Sequence, residues 1–368
     1  MEAAKEKNPK GAKAPYYLGC LYYDKRQYDL AIENWELSAQ LDSQFPTVWR
    51  NLALARFNKQ GRAEEALAYM ERAFHLDEND ERVLMELDQL YKRLQHSHAE
   101  RLAFLQHYPA LIARRDDLVL EEITLLNQVG RYEEAMRKLD AHQFHPWEGG
   151  EGKVPTQYQI CRVELAKACL ASQESIDKAI KLLGECLTYP HHLGEGKLYG
   201  AQENDFYYLL GLAHEMKGNH EEARRCYEQA TVGPTEPAAA MYYKDAKPDK
   251  IFYAALAYRK LGDEGKANGL CYKLLNYGKQ HLFDKVVMDY FAVSLPDLLV
   301  WDGDLQERNT IHCNLMLALG YLGLGDRNHA FRYLAEVERL DSNHAVPPAL
   351  RSLLPLIEEY HKENGTVA

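Results

Sequence analysis

The chain has 368 residues, 46% of them hydrophobic, and a formal net charge of −11. That composition can bury a large core, and its charge has the wrong sign for a main partner that is a nucleic-acid backbone or an anionic membrane. No run of about 18 apolar residues occurs, so no membrane span is expected.

The N-terminal stretch 1–15 is charged and lacks an apolar core, so the chain as given shows no signal peptide. The expectation is a soluble protein, with the cytoplasm favoured and the periplasm left open for the parent protein. Seven cysteines stand singly at 20, 161, 169, 186, 226, 271 and 313 with no CxxC. Most fall on apolar faces of predicted helices, the pattern of reduced thiols serving as small hydrophobes rather than zinc ligands or disulfides.

Taken in order, Pro9 stands where the second helix of a preceding repeat would end. Residues 1–15 are therefore expected to be the tail of an earlier repeat, and Met1 not the natural beginning. Paired amphipathic stretches then follow one another. The first carries Leu18-Gly19, Tyr22, Ala31, Trp35 and Ala39, and the second Trp49, Leu52-Ala53, Phe57, Gly61, Ala66 and Met70. A looser pair occupies 81–108, a fourth 117–141 and a fifth holds Val163, Ala166, Leu170, Ala179 and Leu183.

The sixth pair, 205–231, is the clearest. Tyr207, Leu210, Gly211 and His214 share one helical face, Ala223, Tyr227 and Ala230 another, with Lys217-Gly218-Asn219 between them. Small residues stand where two helices must approach and large ones between. A seventh pair has Ile251, Ala254, Tyr258, Gly262 and Ala267, and an eighth Leu317, Ala318, Tyr321, Gly325 and Ala330. Pro347 and Pro348 open a last helix expected to cap the eighth.

This pattern resembles the tetratricopeptide (TPR) repeat, a helix hairpin of about 34 residues. The resemblance implies an all-α, right-handed superhelical solenoid of about eight hairpins with long inter-repeat insertions and a C-terminal capping helix. Repeats 1–4 would fill 16–141 and repeats 5–7 would fill 142–275. A long insertion and repeat 8 would fill 276–346, and the cap and tail 347–368.

Ala135, Ala179, Ala223 and Ala267 recur every 44 residues, so each middle unit carries about ten residues beyond a TPR hairpin. That period alone would also suit HEAT repeats; the turn glycines and small-residue register favour TPR. The extra residues fall after the second helix each time, at 142–154, 188–204 and 231–249, with a longer insertion at 276–308. Insertions on one type of connection are expected to project from one edge, often a binding face.

Two insertions share a P-x3-G-E-G-K frame, Pro146 to Lys153 and Pro190 to Lys197. One reading makes them paired recognition loops, with Trp147 and Tyr199 as aromatic anchors beside Glu148, Glu151, Lys153, His191, His192, Glu195 and Lys197. The other makes each GEGK a turn whose glutamate bonds backbone amides of the next helix. Neither is a phosphate loop, which needs GxxxxGK[ST] after a strand. His142, His145, His191 and His192 cluster here without the spacing or cysteine partners of a metal site, and no metal or cofactor is assigned.

In the last insertion, Asp297, Trp301, Asp302 and Asp304 suit a glycan site. The plainer reading is a helix from Pro296 that packs Leu298, Leu299 and Trp301 inward. The concave groove of the first helices would present Tyr208, Leu212, Phe252 and Leu256. Its would-be clamp asparagines are Cys20, Leu54, Leu212, Leu256 and Leu319, so an apolar or amphipathic ligand is expected rather than a carboxylate tail.

The segments 144–152, 190–198, 290–302 and 309–313 resemble a bacterial group in which an N-terminal mutarotase-like β-sandwich of unknown function is fused to a C-terminal TPR array. The resemblance implies a carbohydrate-associated parent protein and an array that docks its own sandwich domain or another protein, with carbohydrate as a second candidate ligand. The expected function is a non-catalytic scaffold. The alternative is an α/α-toroid-like carbohydrate-active enzyme or glycan-binding module using the loop Glu and Trp residues.

Overall fold

The computed structural model describes residues 8–173, 175–239, 245–287 and 300–363, with side chains to residue 357. The described residues are helices and connecting loops, without a strand. They fall into two compact units, 1–122 with 299–303, and 123–298 with 304–368. Pro296, Asp297, Leu298 and Leu299 lie outside the described residues, as do 1–7.

In the first unit α1 (Lys13–Asp24) pairs with α2 (Tyr28–Leu41) and α3 (Pro46–Gln60) with α4 (Ala63–Leu76). α5 (Glu81–Arg93), α6 (His98–Gln106) and the single turn α7 (Pro109–Ile112) follow. Local chemistry sets these limits. Gly61, at φ +66°, ends α3, and Asp80 accepts the Arg82 and Val83 amides at the start of α5, each at 3.0 Å. Ser97 and Glu100 form a capping box on α6. Gly19 lets α1 meet the Trp35 indole, since a Cβ there would fall 2.4 Å from the ring.

α8 (Asp116–Gln128) carries residues of both units. The second unit continues with α9 (Tyr132–Ala141), α10 (Lys153–Ser172), α11 (Ile176–Cys186), α12 (Asn204–Met216) and α13 (His220–Ala230). Then come α14 (Pro248–Lys260), α15 (Glu264–His281), α16 (Leu305–Gly323), α17 (Arg327–Leu340) and α18 (Val346–Glu363). The first helices α10, α12, α14 and α16 touch in succession, and each packs on its own partner α11, α13, α15 or α17. Ala135, Ala179 and Ala267, three of the four alanines in the 44-residue series, are fully buried.

α18 packs on α17, as a terminal cap would, but its main partner is α10, the first helix of a hairpin three hairpins earlier. All seven cysteines are free, and five of them are buried.

Hairpin closure predicts opposite outcomes for two glycines. A Cβ on Gly211 would fall 2.4 Å from the Tyr227 ring, whereas one on Gly184, inside α11, would meet nothing within 4 Å. Gly211→Ala should cost about 1–3 kcal/mol by overpacking, and Gly184→Ala should gain about 0.5–1 kcal/mol from helix propensity. Urea midpoints followed by circular dichroism check both.

Candidate functional site

The first two insertions bond to each other. In the first, Phe144 is 1% exposed and its amide donates to the His192 carbonyl at 2.8 Å. Its own carbonyl lies under Gly194, where a Cβ would come within 2.7 Å, and Gly194 also holds φ at +73°. Only glycine meets both demands at once. Leu193, the end of a short 3-10 turn (His191–Leu193), is buried beside this crossing.

One step further, Glu195 of the second motif accepts the amide of Gly152 in the first, at 2.8 Å. Gly152 is the residue before α10, so the carboxylate caps the positive end of a 20-residue helix that its own loop does not lead into. Burial pushes the Glu195 carboxyl up; the Gly152 amide opposes that and nearby Glu151 reinforces it. Lys197 donates to the Leu187 carbonyl at 3.0 Å and pairs with Glu203 at 2.5 Å, closing the second loop on itself.

The repeated frame thus has divided roles. In the first copy Gly150 makes room for Trp147, since a Cβ would fall 2.3 Å from its indole, and Gly152 opens α10. In the second copy Gly194 and Glu195 form the crossing. The result is a cleft of about 350 Å³ walled by Trp147, Pro146 and Leu193, with Glu148, Glu151 and Glu195 at its rim. Trp147 is half-buried; Glu148, Glu151, Lys153 and His191 are exposed. Leu198 is 54% exposed and Tyr199 fully so, an unusual outlay of apolar surface for one short loop. His192 lies 3.8 Å from Asp140, and among the described residues no group of three His, Cys, Asp or Glu side chains converges as a metal would need.

Trp301 and Asp302 stand elsewhere, in the first unit. Trp301 is 2% exposed, its indole N–H donates to the Glu86 carbonyl at 2.8 Å, and its ring meets Phe57 edge-on at 5.2 Å. Asn58 bonds both the Val300 carbonyl and the Asp302 amide, each at 2.9 Å. Lys59 pairs with Asp302 at 3.1 Å; burial works against its ammonium, but Asp302 outweighs it and raises the Lys59 pKa. Trp301 is an anchor rather than an exposed binding face, which corrects its expected place on the loop edge.

The expected groove residues are likewise buried: Tyr208 is 2% exposed, Leu212 5%, Phe252 0% and Leu256 7%. They belong to one continuous core that also takes in Leu350, Leu353 and Leu356 of α18. The first helices pack too closely on each other, and on α18, to leave these side chains open.

Sequence reasoning passed over Lys167. It is 1% exposed, pairs with Glu164 at 2.5 Å and donates to the Ala349 carbonyl at 2.9 Å and the Ser352 hydroxyl at 2.7 Å. Burial lowers its pKa against the opposing pull of Glu164. A lysine inside the otherwise apolar run from Leu165 to Leu170 was the available signal. Lys250 pairs with Asp205 at 2.5 Å and lies over the Phe206 ring; burial works against its ammonium, but Asp205 and Asp249 outweigh it and raise its pKa.

Residues 205–231 match the family described as Tetratricopeptide repeat. Among solved structures, the chain is similar to YrrB, described as a TPR protein with an unusual peptide-binding site, at 15% identity and a TM-score of 0.34, over 62% of this chain and 89% of that one. A tetratricopeptide repeat protein from Parabacteroides merdae matches at 12% identity and TM-score 0.41, over 71% and 91%. Naa15/Naa10 bound to HypK-THB matches at 12% and 0.41, over 98% of this chain and 57% of that one.

The cross-loop cap predicts that Glu195→Ala costs about 1–2 kcal/mol, and that Glu195→Gln, which keeps an acceptor for Gly152, costs less than half as much. Urea denaturation of the three proteins at pH 7 measures the difference. The helix hairpin in residues 205–231 is similar to a tetratricopeptide repeat, and the hairpins after it in the second unit likewise pair a first helix with its own second helix.

Proposed function

We propose that the chain is a non-catalytic scaffold that docks a folded protein partner on the edge built by its first two insertions. The observation that carries this reading is that two loops, one hairpin apart, are bonded into a single preformed surface with Trp147 standing half-open in its cleft. A loop that only turned the chain would need neither the crossing nor the exposed Leu198 and Tyr199.

Preorganisation matters because ordering a loop on binding costs affinity. A rigid aromatic in a cleft, ringed by polar residues, is the usual build of a binding hot spot. Glu148, Glu151 and Glu195 at the rim suit a partner that brings a lysine or arginine against the indole face. The resemblance noted above makes a sandwich domain of the same parent protein, in a carbohydrate-related setting, the first partner to try.

Isothermal calorimetry of the array with that sandwich domain tests the reading. Association that weakens at least tenfold on Trp147→Ala and again on Tyr199→Ala is the expected result. Association unchanged by both substitutions would place the interface elsewhere, and a soluble oligosaccharide bound at the same tryptophan would replace the protein partner with a glycan.

A further inference from the structure

We propose that the second insertion is a two-way clamp that ties three successive insertions of the second unit into one docking edge, with Gln202 as the residue that adds the third. The inference rests on the reading of that edge as a docking surface and extends it by one hairpin.

The clamp works on residues that stand just before first helices. Glu195 reaches back to the amide of Gly152, the residue before α10, at 2.8 Å. Further along the same segment, Gln202 reaches forward to the third insertion. Its Oε1 accepts the amide of Lys247, the residue before α14, at 3.0 Å, and its Nε2 donates to the Asp245 carbonyl at 3.0 Å. One planar side-chain amide thus pairs with backbone through both its donor and its acceptor. Asn204, the first residue of α12 and 4% exposed, donates to the Ala230 carbonyl at 2.8 Å and the Val232 carbonyl at 3.0 Å. The third insertion is therefore held at its entry by Asn204 and at its exit by Gln202.

α10, α12 and α14 already pack in succession, so these bonds add fixed geometry at the edge rather than core. They join residues 43 to 45 apart, close to the 44-residue period, and so link equivalent places in successive hairpins. Between the two clamping residues stands an exposed apolar turn. Leu198 is 54% exposed and Tyr199 fully so, and the Ala201 amide closes the turn on the Leu198 carbonyl at 3.2 Å. Gly200 holds φ at +81°, the sign that a type II turn demands of its third residue. A tyrosine presented on a segment pinned at both ends has less freedom to lose on binding. Tyr199 lies outside the Trp147 cleft, so an occupant of this edge meets a hollow and a projection together. A folded protein face with an apolar pocket matches both, whereas a sugar unit seated in the cleft leaves the projection unused.

Millisecond hydrogen exchange on the 368-residue chain, resolved to single amides, tests the clamp without any partner. In Gln202→Ala the Lys247 amide should exchange about tenfold faster, and the Gly152 amide, whose own acceptor is untouched, about threefold faster. Amides inside α12 and α14 should keep their rates. A Gly152 amide that does not respond would make the two contacts independent and overturn the proposal. Lost protection throughout α12 and α14 would make Gln202 a support of the core and equally contradict it. Calorimetry with a β-sandwich domain, the probe chosen for the docking edge, adds the binding side. There Gln202→Ala should weaken association about fivefold. Association that falls with Trp147→Ala yet ignores Gln202→Ala would keep the two-loop dock and remove the third insertion from it. Lack of any association would count against the docking partner, with the exchange result still deciding the clamp.

Discussion

A helix hairpin cannot bury both of its apolar faces by itself, and nearly every feature of this chain follows from that constraint. Each hairpin closes through a small residue against a large one, as Gly19 does on Trp35 and Gly211 on Tyr227. Its remaining apolar surface is then covered by the next hairpin. In the second unit the chain of first helices, α10 to α12 to α14 to α16, is the continuous product. The approach can be very close. Gly278 and Gly320 bring α15 and α16 near enough that a Cβ on either would fall within 3 Å of the other helix's backbone or a leucine side chain.

That economy leaves the connections free to vary, and two of them are put to use. The loops at 142–152 and 188–203 are the places where the chain spends bonds that no hairpin requires: an amide to a carbonyl, a glycine over a carbonyl, and a carboxylate to a helix terminus. A surface built in this way holds Trp147 in one place. The last helix is placed differently: α18 packs chiefly on α10, where the buried Lys167 bonds the Ala349 carbonyl.

Much of this was legible in the amino-acid sequence, because helical period and small-residue spacing are local signals. Turn glycines such as Gly61, Gly218, Gly262 and Gly325 do take up the left-handed conformation their position demands. The shared P-x3-G-E-G-K frame marked the loops, but only coordinates could show that Glu195 reaches the amide of the other copy. Such a bond joins residues 43 apart through a fold that the motif itself does not encode. Trp301 was legible only in part: inward packing was the plainer reading and its burial agrees with that, whereas its place among the loop-edge residues does not. A tryptophan among aspartates looks like a sugar platform until Asn58, Phe57 and the Glu86 carbonyl, all more than 200 residues away, are seen to enclose it. Leu212 and Leu256 are apolar residues of first helices, as supposed, but close packing turns that face into core.

The central claim is that the two loops work as one surface, and a double-mutant cycle tests it most directly. Calorimetric binding of a β-sandwich domain, the partner proposed above, would be measured for the unaltered chain, Trp147→Ala, Glu195→Ala and the double variant. If Glu195 acts by holding the loop that presents Trp147, the double variant should lose less than the sum of the single losses, with a coupling of about 1 kcal/mol or more. Losses that simply add, or no loss at either position, would contradict the account.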